Sequence, residues 1–349
     1  MRIFASAMGQ IDNVGDTVLR RAFLDALRGA GELQVFVGAR SDFYVSGLGL
    51  HDGDRVYRTS AEWRREISRS TLREASVYAF NAGEMELQRA YALRYLRLAP
   101  HLALNRLRGG HAVHAGFGVR QKTGWRIPVA ATLRLCDLVA WRDAYSLASM
   151  GLGRIAPDWA FATGTADADL LASTPDRPLL AVSVRYNGRR PDDAWLHALR
   201  GLADTLGLEI VAVAQIERDG PLAEELAASL GGTALVWDGP DHAEQEVKLR
   251  DIYQRSLLVV TDRLHAAVIG LTEGALPLVI ADAGPSKAAR TLDAVGIKGA
   301  TIGWTLPDPA ALERRARDVI SRREPILRHV VEARASLREL TSSIRKLTT

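Results

Sequence analysis

The chain of 349 residues has a single cysteine and five lysines. Cys136 has no second thiol for an intramolecular disulfide, and no Cys/His cluster has zinc-ligand spacing, so we expect neither a disulfide framework nor a metal site. No apolar run reaches the roughly 18 residues of a membrane span, and no signal-peptide pattern is present. We therefore expect a cytoplasmic protein, with peripheral contact to the inner face of the membrane left open.

Two common nucleotide-binding signatures are also missing. The first strand-to-helix turn has no G-x-G-x-x-G, and no G-K-[ST] follows a glycine-rich loop, which argues against a dinucleotide fingerprint and a P-loop. The formal net charge of +4 comes almost entirely from arginine and is too small for a nucleic-acid footprint. We expect no nucleic-acid partner, and the charge is compatible with acidic small-molecule substrates or an anionic membrane surface.

The order of apolar segments predicts an α/β protein with two domains. Strand-like and helix-like patterns alternate from Arg2–Ala7 onwards and start again at Leu179–Val184. Such alternation indicates parallel sheets with right-handed crossovers. The predicted fold is therefore two Rossmann-like, doubly wound domains facing a cleft, as in GT-B proteins, with a C-terminal helical tail.

Composition sets the predicted boundaries of these domains. Residues 1–165 form the first domain, and residues 166–178 are linker-like. Residues 179–325 form the second domain. Apolar residues at helical spacing in 326–349 predict a helix that packs back on the first domain.

One segment of the second domain carries the strongest functional signal. The buried strand Leu257–Val260 runs into Thr261-Asp262-Arg263-Leu264-His265 and then into a helix. A guanidinium and an imidazole at a strand's carboxyl end, beside a helix N-terminus, suit an anionic ligand and proton exchange. The side chains of Arg263 and His265 lie on the same side of the chain only if the backbone is extended at the elbow. The alternative to a ligand site is a structural cluster of helix-capping and salt-bridge residues.

Two further arginines follow predicted strands. Arg142 follows Leu138–Trp141 and precedes Asp143 and Ser146, and Arg185 follows Leu179–Val184. With Arg263, they predict a pocket for a substrate with more than one anionic group. For Arg142 the alternative is a helix N-terminus in which Asp143 is the cap and pairs with the arginine.

The loops of the first domain contain polar residues suited to sugar hydroxyls. These are Asn13 and Asp16 before the first helix, and Asn81 and Glu84 after a later strand. Aspartate and asparagine are also common turn formers, so both interpretations stay open.

The motifs, taken in order, resemble the polysaccharide pyruvyl transferase family over about residues 10 to 295. Thr261 stands where the family usually has serine and keeps the hydroxyl. The matching segments are Asn13-Val14-Gly15-Asp16, Arg142-Asp143-Ala144-Tyr145-Ser146 with Pro157-Asp158, Thr261-Asp262-Arg263-Leu264-His265 with Gly274-Ala275-Leu276-Pro277, and Lys287.

This resemblance implies a two-lobed enzyme of the GT-B type, with the acceptor side in residues 1–165 and the phosphoenolpyruvate side in residues 179–325. It would place pyruvate from phosphoenolpyruvate across two hydroxyls of a sugar, in a cell-surface polysaccharide or its lipid-linked precursor, with no metal or resident cofactor. The acceptor sugar and the oligomeric state stay open. The implied catalytic residues are His265 and Arg263, the donor-binding residues Arg263, Leu264, Arg142, Arg185, Lys287 and Thr261, and the acceptor-binding residues Asn13, Asp16, Asn81 and Glu84.

Two other functions are weighed against this one. A GT-B glycosyltransferase using a nucleotide sugar would need a carboxylate for the nucleotide ribose, and Glu273 is the one well-placed candidate. A non-catalytic partner in envelope assembly would have lost its site, and the joint presence of Arg142, Arg263, His265 and Lys287 argues against that.

Overall fold

The computed structural model describes residues 1–172, 176–281, 286–305 and 308–348. Their contacts separate into two compact units. The first comprises Met1–Ile11, Asp16–Trp159 and the chain from Arg334, and the second comprises Asp12–Gly15 and Ala160–Ala333.

The first unit is built on a parallel sheet. Over its described residues the strands run in the order β3-β2-β1-β4-β6-β7-β8, and β5 pairs with the second half of β6. The strands are β1 (Arg2–Ser6), β2 (Glu32–Phe36), β3 (Arg55–Tyr57), β4 (Ser76–Ala79), β5 (Gly83–Met85), β6 (His111–Val119), β7 (Leu138–Trp141) and β8 (Arg154–Ile155).

Helices connect these strands and cover the sheet, and several carry clear end signals. The first helix has Asp16 in its first turn and Arg28 in its last, which both favour the helix dipole. The helices up to β8 are α1 (Val14–Arg28), α2 (Asp42–Ser46), α3 (Ser60–Arg73), α4 (Arg89–Leu107), α5 (Arg126–Leu133) and α6 (Ala144–Met150).

The second unit repeats the arrangement with strand order β11-β10-β9-β12-β13-β14, all parallel over the described residues. Its strands are β9 (Leu179–Ser183), β10 (Glu209–Val213), β11 (Thr233–Leu235), β12 (Ser256–Thr261), β13 (Leu276–Ala281) and β14 (Thr301–Gly303). The remaining helices are α7 (Asp167–Leu171), α8 (Asp193–Leu206), α9 (Gly220–Leu230), α10 (His242–Arg255), α11 (Leu264–Thr272), α12 (Lys287–Ala294), α13 (Pro309–Ser321) and α14 (Arg323–Arg345).

Each sheet changes direction of growth at one point, between β1 and β4 in the first unit and between β9 and β12 in the second. Doubly wound sheets bind ligands outside the carboxyl ends of the strands at such a point. The predicted class of two doubly wound α/β domains is therefore confirmed, and the ends of β1, β4, β9 and β12 are where a site is expected.

Some segments differ in detail from the sequence-based expectation. The predicted linker 166–178 contains the short helix α7, and Gly83–Met85, just before α4, pairs as a strand with β6. The predicted tail helix is the larger part of α14, and its residues from Arg334 belong to the first unit, where Arg345 lies against Gly29. In the part of the chain described, no helix is both long and apolar enough to cross a membrane.

Candidate active site

The elbow between β12 and α11 is fixed by the hydroxyl of Thr261. This hydroxyl donates to the carbonyl of Ser183 at 2.6 Å and accepts from the backbone N–H of Arg263 at 2.9 Å. Arg263 is the N-cap residue of α11, has extended backbone angles (φ −92°, ψ 124°) and makes no side-chain cap bond. The backbone is thus still extended at Arg263, which is the condition for the Arg263 and His265 side chains to lie on the same side of the elbow.

A buried carboxylate orients the Arg263 side chain. Asp219, with 1% of its surface exposed, accepts through Oδ1 from the Arg263 guanidinium and from the backbone N–H of Tyr186, the latter at 2.9 Å. The Arg263 side chain is 14% exposed. Its charge is therefore partly balanced by Asp219, and its direction is set by the protein before any ligand binds.

Arg185 is held in a similar way by the elbow itself. Its Nε lies 2.8 Å from Asp262 Oδ2, its backbone N–H donates to Asp262 Oδ1 at 3.0 Å, and its Nη2 donates to the Asp262 carbonyl at 2.6 Å. Burial raises the pKa of Asp262, and Arg185 opposes that rise. Since 40% of the Arg185 side chain is exposed, its remaining donors face solvent.

Leu264 and His265 form the first turn of α11 and are both buried. Lys287 is the first residue of α12 and follows the N-cap Ser286. The residues just before this cap, 282–285, lie outside the described part of the chain. Thr261, Leu264 and His265 thus lie with Arg263 at the carboxyl end of β12, and Lys287 follows the neighbouring strand β13.

The Asn-x-Gly segment from near the start of the chain is packed against His265. Asn13 Oδ1 accepts from Gln215 Nε2 at 2.7 Å and from the backbone N–H of Gly15 at 3.0 Å. A β-carbon on Gly15 would lie 2.4 Å from His265 Cβ and 2.6 Å from Gln215 Nε2. Only glycine fits this close approach, and Asn13 acts here as an acceptor for protein groups.

Further bonds tie Asp12–Gly15 to the loop after β10. The carbonyl of Asp12 accepts from the backbone N–H of Glu217 at 2.9 Å, and its carboxylate accepts from Arg218 Nη2 at 3.3 Å. Asn13 forms an isolated antiparallel bridge with Ile216. These contacts explain why a segment so early in the sequence belongs to the second unit.

In the first unit, Arg142 is a buried, ion-paired residue. Its side chain is 2% exposed; Nη1 lies 3.2 Å from Asp158 Oδ2 and Nη2 lies 3.9 Å from Glu84 Oε1. Gly118 gives it room, since a β-carbon there would be 2.4 Å from Arg142 Nε. Glu84 keeps 29% of its side chain exposed, so it is the accessible member of this charged group.

The rest of the Arg-Asp-x-x-Ser segment holds the local structure together. Asp143 is the N-cap of α6 and accepts from the Ser146 backbone N–H at 2.7 Å, so the cap is confirmed. The ion-pair partners of Arg142 are Asp158 and Glu84 instead of the expected Asp143. The Ser146 hydroxyl donates to Asp143 Oδ1 at 2.8 Å and accepts from the backbone N–H of Val119 at 2.7 Å. Ser146 therefore joins α6 to the end of β6.

Asp16 and Asn81 hold the loop that follows β1. Asp16 accepts from the backbone N–H of Gln10 at 2.7 Å, and Asn81 Nδ2 donates to the carbonyl of Met8 at 2.7 Å. Arg20, which is 6% exposed, joins them, since its Nε donates to Asn81 Oδ1 at 3.0 Å and its Nη1 to the Asp16 carbonyl at 2.6 Å. Both expected acceptor residues thus have a structural task in the first unit.

The main residues that sequence patterns do not reveal are partners of the predicted ones. Asp219 orients Arg263, Gln215 binds Asn13, and Arg20 binds Asp16 and Asn81. Gln215 and Asp219 both follow β10, so a search for polar residues after every strand would find them. Arg20 is one of several arginines on a helix and carries no such signal.

Glu273, the candidate for a nucleotide ribose, is enclosed by protein. It is 1% exposed, pairs with the Arg250 guanidinium, and accepts from Thr165 Oγ1 at 2.7 Å and Gln254 Nε2 at 2.9 Å. These bonds occupy both carboxylate oxygens in the interior of the second unit.

Comparison with known proteins gives one family and one fold. Residues 13–281 match the family described as polysaccharide pyruvyl transferase. No curated protein sequence matches the chain. Among solved structures, a glycosyltransferase from Rickettsia africae ESF-5 has a TM-score of 0.57 at 10% identity, covering 99% of this chain and 98% of its own.

Two other structures give the same result. A putative UDP-N-acetylglucosamine 2-epimerase from Listeria monocytogenes has a TM-score of 0.54 at 14% identity, covering 95% of this chain and 90% of its own. S. aureus MnaA, solved with UDP, has a TM-score of 0.53 at 13% identity, covering 96% and 91%. At such identities the similarity concerns the fold alone, which is that of the GT-B proteins.

Proposed function

Because the chain belongs to the polysaccharide pyruvyl transferase family, we propose that it transfers pyruvate from phosphoenolpyruvate to two hydroxyls of one sugar. The product is a pyruvate ketal, and inorganic phosphate is released. The acceptor is a cell-surface polysaccharide or its lipid-linked precursor. The reaction uses phosphoenolpyruvate as a co-substrate and needs no resident cofactor or metal.

The single observation that carries this proposal is the preset elbow of the second unit. Arg263 stands at an uncapped helix N-terminus, is oriented by Asp219, and is followed by His265 in the first turn. Backbone N–H groups and an oriented guanidinium are suited to a phosphate or carboxylate. Phosphoenolpyruvate carries both anions on a three-carbon frame, so Arg185 and Lys287 are proposed as additional donor contacts.

The proposed chemistry begins with proton transfer to the vinyl carbon of phosphoenolpyruvate. His265 is the proposed general acid, because an imidazole exchanges protons near neutral pH. One sugar hydroxyl then forms a C–O bond to the resulting cationic carbon and releases its proton, which replaces the one that His265 donated. The C–O bond to phosphate breaks, and the second hydroxyl closes the ketal as its proton leaves with phosphate.

On the acceptor side, we propose Glu84 as the residue that contacts sugar hydroxyls. Its carboxylate is partly exposed and lies 3.9 Å from the guanidinium of Arg142. The ion pair of Arg142 with the buried Asp158 holds that guanidinium in place. Asp16 and Asn81 support the loop after β1 in the first unit, and Asn13 supports Gly15 in the second unit. We therefore propose that Asn13, Asp16 and Asn81 assist acceptor binding indirectly. Arg142 is likewise proposed to assist donor binding without contacting the donor.

A titration of the two donor classes tests the proposal. Isothermal calorimetry or a thermal shift should give saturable binding of phosphoenolpyruvate to the wild-type chain and much weaker binding to Arg263→Ala. Nucleotide sugars should give no comparable signal. Saturable binding of a nucleotide sugar with none of phosphoenolpyruvate would favour a glycosyltransferase, whose fold this chain shares.

Two observations argue against the alternatives. The one carboxylate proposed for a nucleotide ribose, Glu273, is buried and bonded to Arg250, Thr165 and Gln254. A non-catalytic assembly partner would have no reason to keep an arginine oriented by a buried aspartate next to a histidine. A purified protein that binds neither donor would favour such a partner.

A further inference from the structure

The excess positive charge of the chain is concentrated in one stretch of the first unit. From Leu87 to Cys136 the sequence contains no aspartate or glutamate. The same fifty positions hold nine basic residues, Arg89, Arg94, Arg97, Arg106, Arg108, Arg120, Lys122, Arg126 and Arg134. This local charge exceeds the +4 of the whole chain, so the remainder of the protein carries the compensating acids.

The structure places part of this charge on one outer face. Arg89, Arg94 and Arg97 are exposed along one side of α4, together with Leu96, which is 44% exposed. The opposite side of the helix is buried. The helix α4 packs against α5, so the residues before and at the start of α5 are its neighbours.

Two side-chain bonds fix the loop between β6 and α5, one to a residue just before α4 and one to α6. The Thr123 hydroxyl donates to the carbonyl of Leu87 at 2.6 Å, and the backbone N–H of Lys122 donates to the Tyr145 hydroxyl at 3.1 Å. Lys122 and Arg126 are thereby brought next to the N-terminal end of α4. The loop is a fixed part of this surface.

Apolar side chains project from the same loop. Trp125 is 42% exposed and Ile127 is 64% exposed. Across the described residues, none of Arg89, Arg94, Arg97, Lys122 and Arg126 forms an ion pair with an acidic side chain, although Arg94 lies over the ring of Tyr91 at 5.6 Å. Uncompensated cations around an exposed indole and aliphatic groups are what an anionic lipid surface attracts.

We propose that this surface, the basic face formed by Arg89, Arg94, Leu96, Arg97, Lys122, Trp125, Arg126 and Ile127, docks the protein on an anionic membrane. The cations bind lipid headgroups, and Trp125 and Ile127 enter the interface. Glu84 in β5 precedes α4 by a few residues, so docking brings the acceptor residue of the proposed function close to the bilayer. The acceptor that suits this placement is a lipid-linked sugar, a point that depends on the proposed function.

The composition of the face favours lipid over nucleic acid. Single-stranded nucleic acid is bound by several aromatic rings on which successive bases stack. Here a single exposed indole is accompanied by the aliphatic Ile127 and Leu96, which gain free energy from hydrocarbon and offer nothing to a phosphate backbone. Anionic lipid is thus the occupant that uses both kinds of side chain.

Vesicle flotation of the purified full-length protein tests the proposal. Vesicles of phosphatidylcholine with phosphatidylglycerol should carry the wild-type chain at low salt, and pure phosphatidylcholine vesicles should not. Arg89→Ser/Lys122→Ser/Arg126→Ser should lower partitioning roughly fivefold for each residue removed. Trp125→Ser/Ile127→Ser should remove the part of the binding that persists at higher salt.

A matched control separates this face from net charge. Arg314→Ser/Arg317→Ser/Arg328→Ser removes the same formal charge from exposed ion pairs on α13 and α14 and should leave vesicle binding unchanged. Equal losses in both triple variants, or no wild-type binding to phosphatidylglycerol vesicles, would overturn the proposal. So would binding to a single-stranded oligonucleotide that displaces the protein from vesicles and is lost in the same triple variant.

The membrane result and the proposed function can fail separately. The vesicle assay contains no donor or acceptor, so it measures membrane binding whether or not the protein transfers pyruvate. If transfer occurs, the Arg89/Lys122/Arg126 variant should act normally on a water-soluble hexoside and lose activity on an acceptor embedded in phosphatidylglycerol vesicles. Equal activity of variant and wild type on the embedded acceptor would contradict docking.

Discussion

The imidazole of His265 packs directly on Gly15, so that a β-carbon at Gly15 would lie 2.5 Å from His265 Nδ1. The Asn-x-Gly segment and the elbow are far apart in sequence, and this contact explains why both occur together. The backbone N–H of Gly15 donates to Asn13 Oδ1 at 3.0 Å, and Gln215 Nε2 donates to the same oxygen at 2.7 Å. The glycine therefore supports the proposed acid through its lack of a side chain.

Gly15→Ala should displace His265 while leaving the fold intact. The new methyl group needs space that His265 Cβ, the imidazole and Gln215 now fill, so the backbone of His265 must shift together with its ring. We expect turnover to fall at least tenfold, the size of effect typical of a misplaced proton donor. Steady-state kinetics with a melting curve measures both effects, and unchanged turnover would show that His265 does not need this position.

Arg263→Lys should weaken donor binding although the charge is kept. Lysine lacks the planar fork and cannot reproduce the bond to Asp219 together with a bidentate contact to an anion. We expect the KM for phosphoenolpyruvate to rise about tenfold or more, with Asp219→Ala giving the same phenotype and Asp219→Asn a milder one. An unchanged KM in both Arg263→Lys and Asp219→Ala would make this pair purely structural.

Ser146→Ala should affect stability and leave donor binding alone. The change removes two bonds and leaves the buried N–H of Val119 without its acceptor. We expect a loss of about 2 kcal/mol in the stability of the first unit. Thermal unfolding measures it, with Ser343→Ala on α14 as a control. A strong loss of phosphoenolpyruvate affinity without any change in melting would contradict this assignment.

His114 should make the protein sensitive to mild acid. It is fully buried in β6 and stacks on Phe117 with ring centroids 3.9 Å apart, and burial lowers its pKa to about 3. The folded state therefore keeps it neutral, while the unfolded chain takes up a proton below about pH 6.5. The stability that comes from keeping His114 neutral is fully present above about pH 6.5. It is lost as the pH falls from there towards 3, because protonation then favours the unfolded chain.

Between pH 7.5 and pH 5, this one group should cost the wild-type chain about 2 kcal/mol. His114→Phe, which fills the same aromatic cluster without a titratable group, should remove that part of the pH dependence. Melting curves at the two pH values compare the chains. An identical loss of stability between the two pH values in the wild-type chain and in His114→Phe would mean that His114 does not cause the pH dependence.

The sequence predicts the class of fold and the elbow because both depend on local patterns. Alternating apolar segments predict Leu179–Ser183 and its neighbours, and a strand followed by Arg263 and His265 is visible without tertiary information. Local patterns leave Arg142 open between a ligand contact and a helix N-terminus capped by Asp143, and the bond between Asp143 and Ser146 shows that the cap is present. Whether a polar residue contacts a ligand or holds the local structure depends on which side chains lie near it in the folded protein.

Long-range partners are what local patterns cannot supply. Asp219 and Gln215 become important only when the fold brings the residues after β10 to Arg263 and to Asn13. The net charge of the chain also conceals the acid-free stretch between Leu87 and Cys136. That stretch is visible in the sequence alone when charge is counted in local windows, whereas its placement on one face of α4 and the neighbouring loop is not.

Product analysis tests the central claim most directly. The purified chain is incubated with phosphoenolpyruvate and a panel of α- and β-hexosides, and phosphate release is followed together with the mass of each sugar. We expect one acceptor to gain the mass of pyruvate less one water, with one phosphate released per product. His265→Ala should be about 10² to 10⁴-fold slower, with its fold preserved. Phosphate release without a ketal product, or wild-type turnover by His265→Ala, would contradict the account.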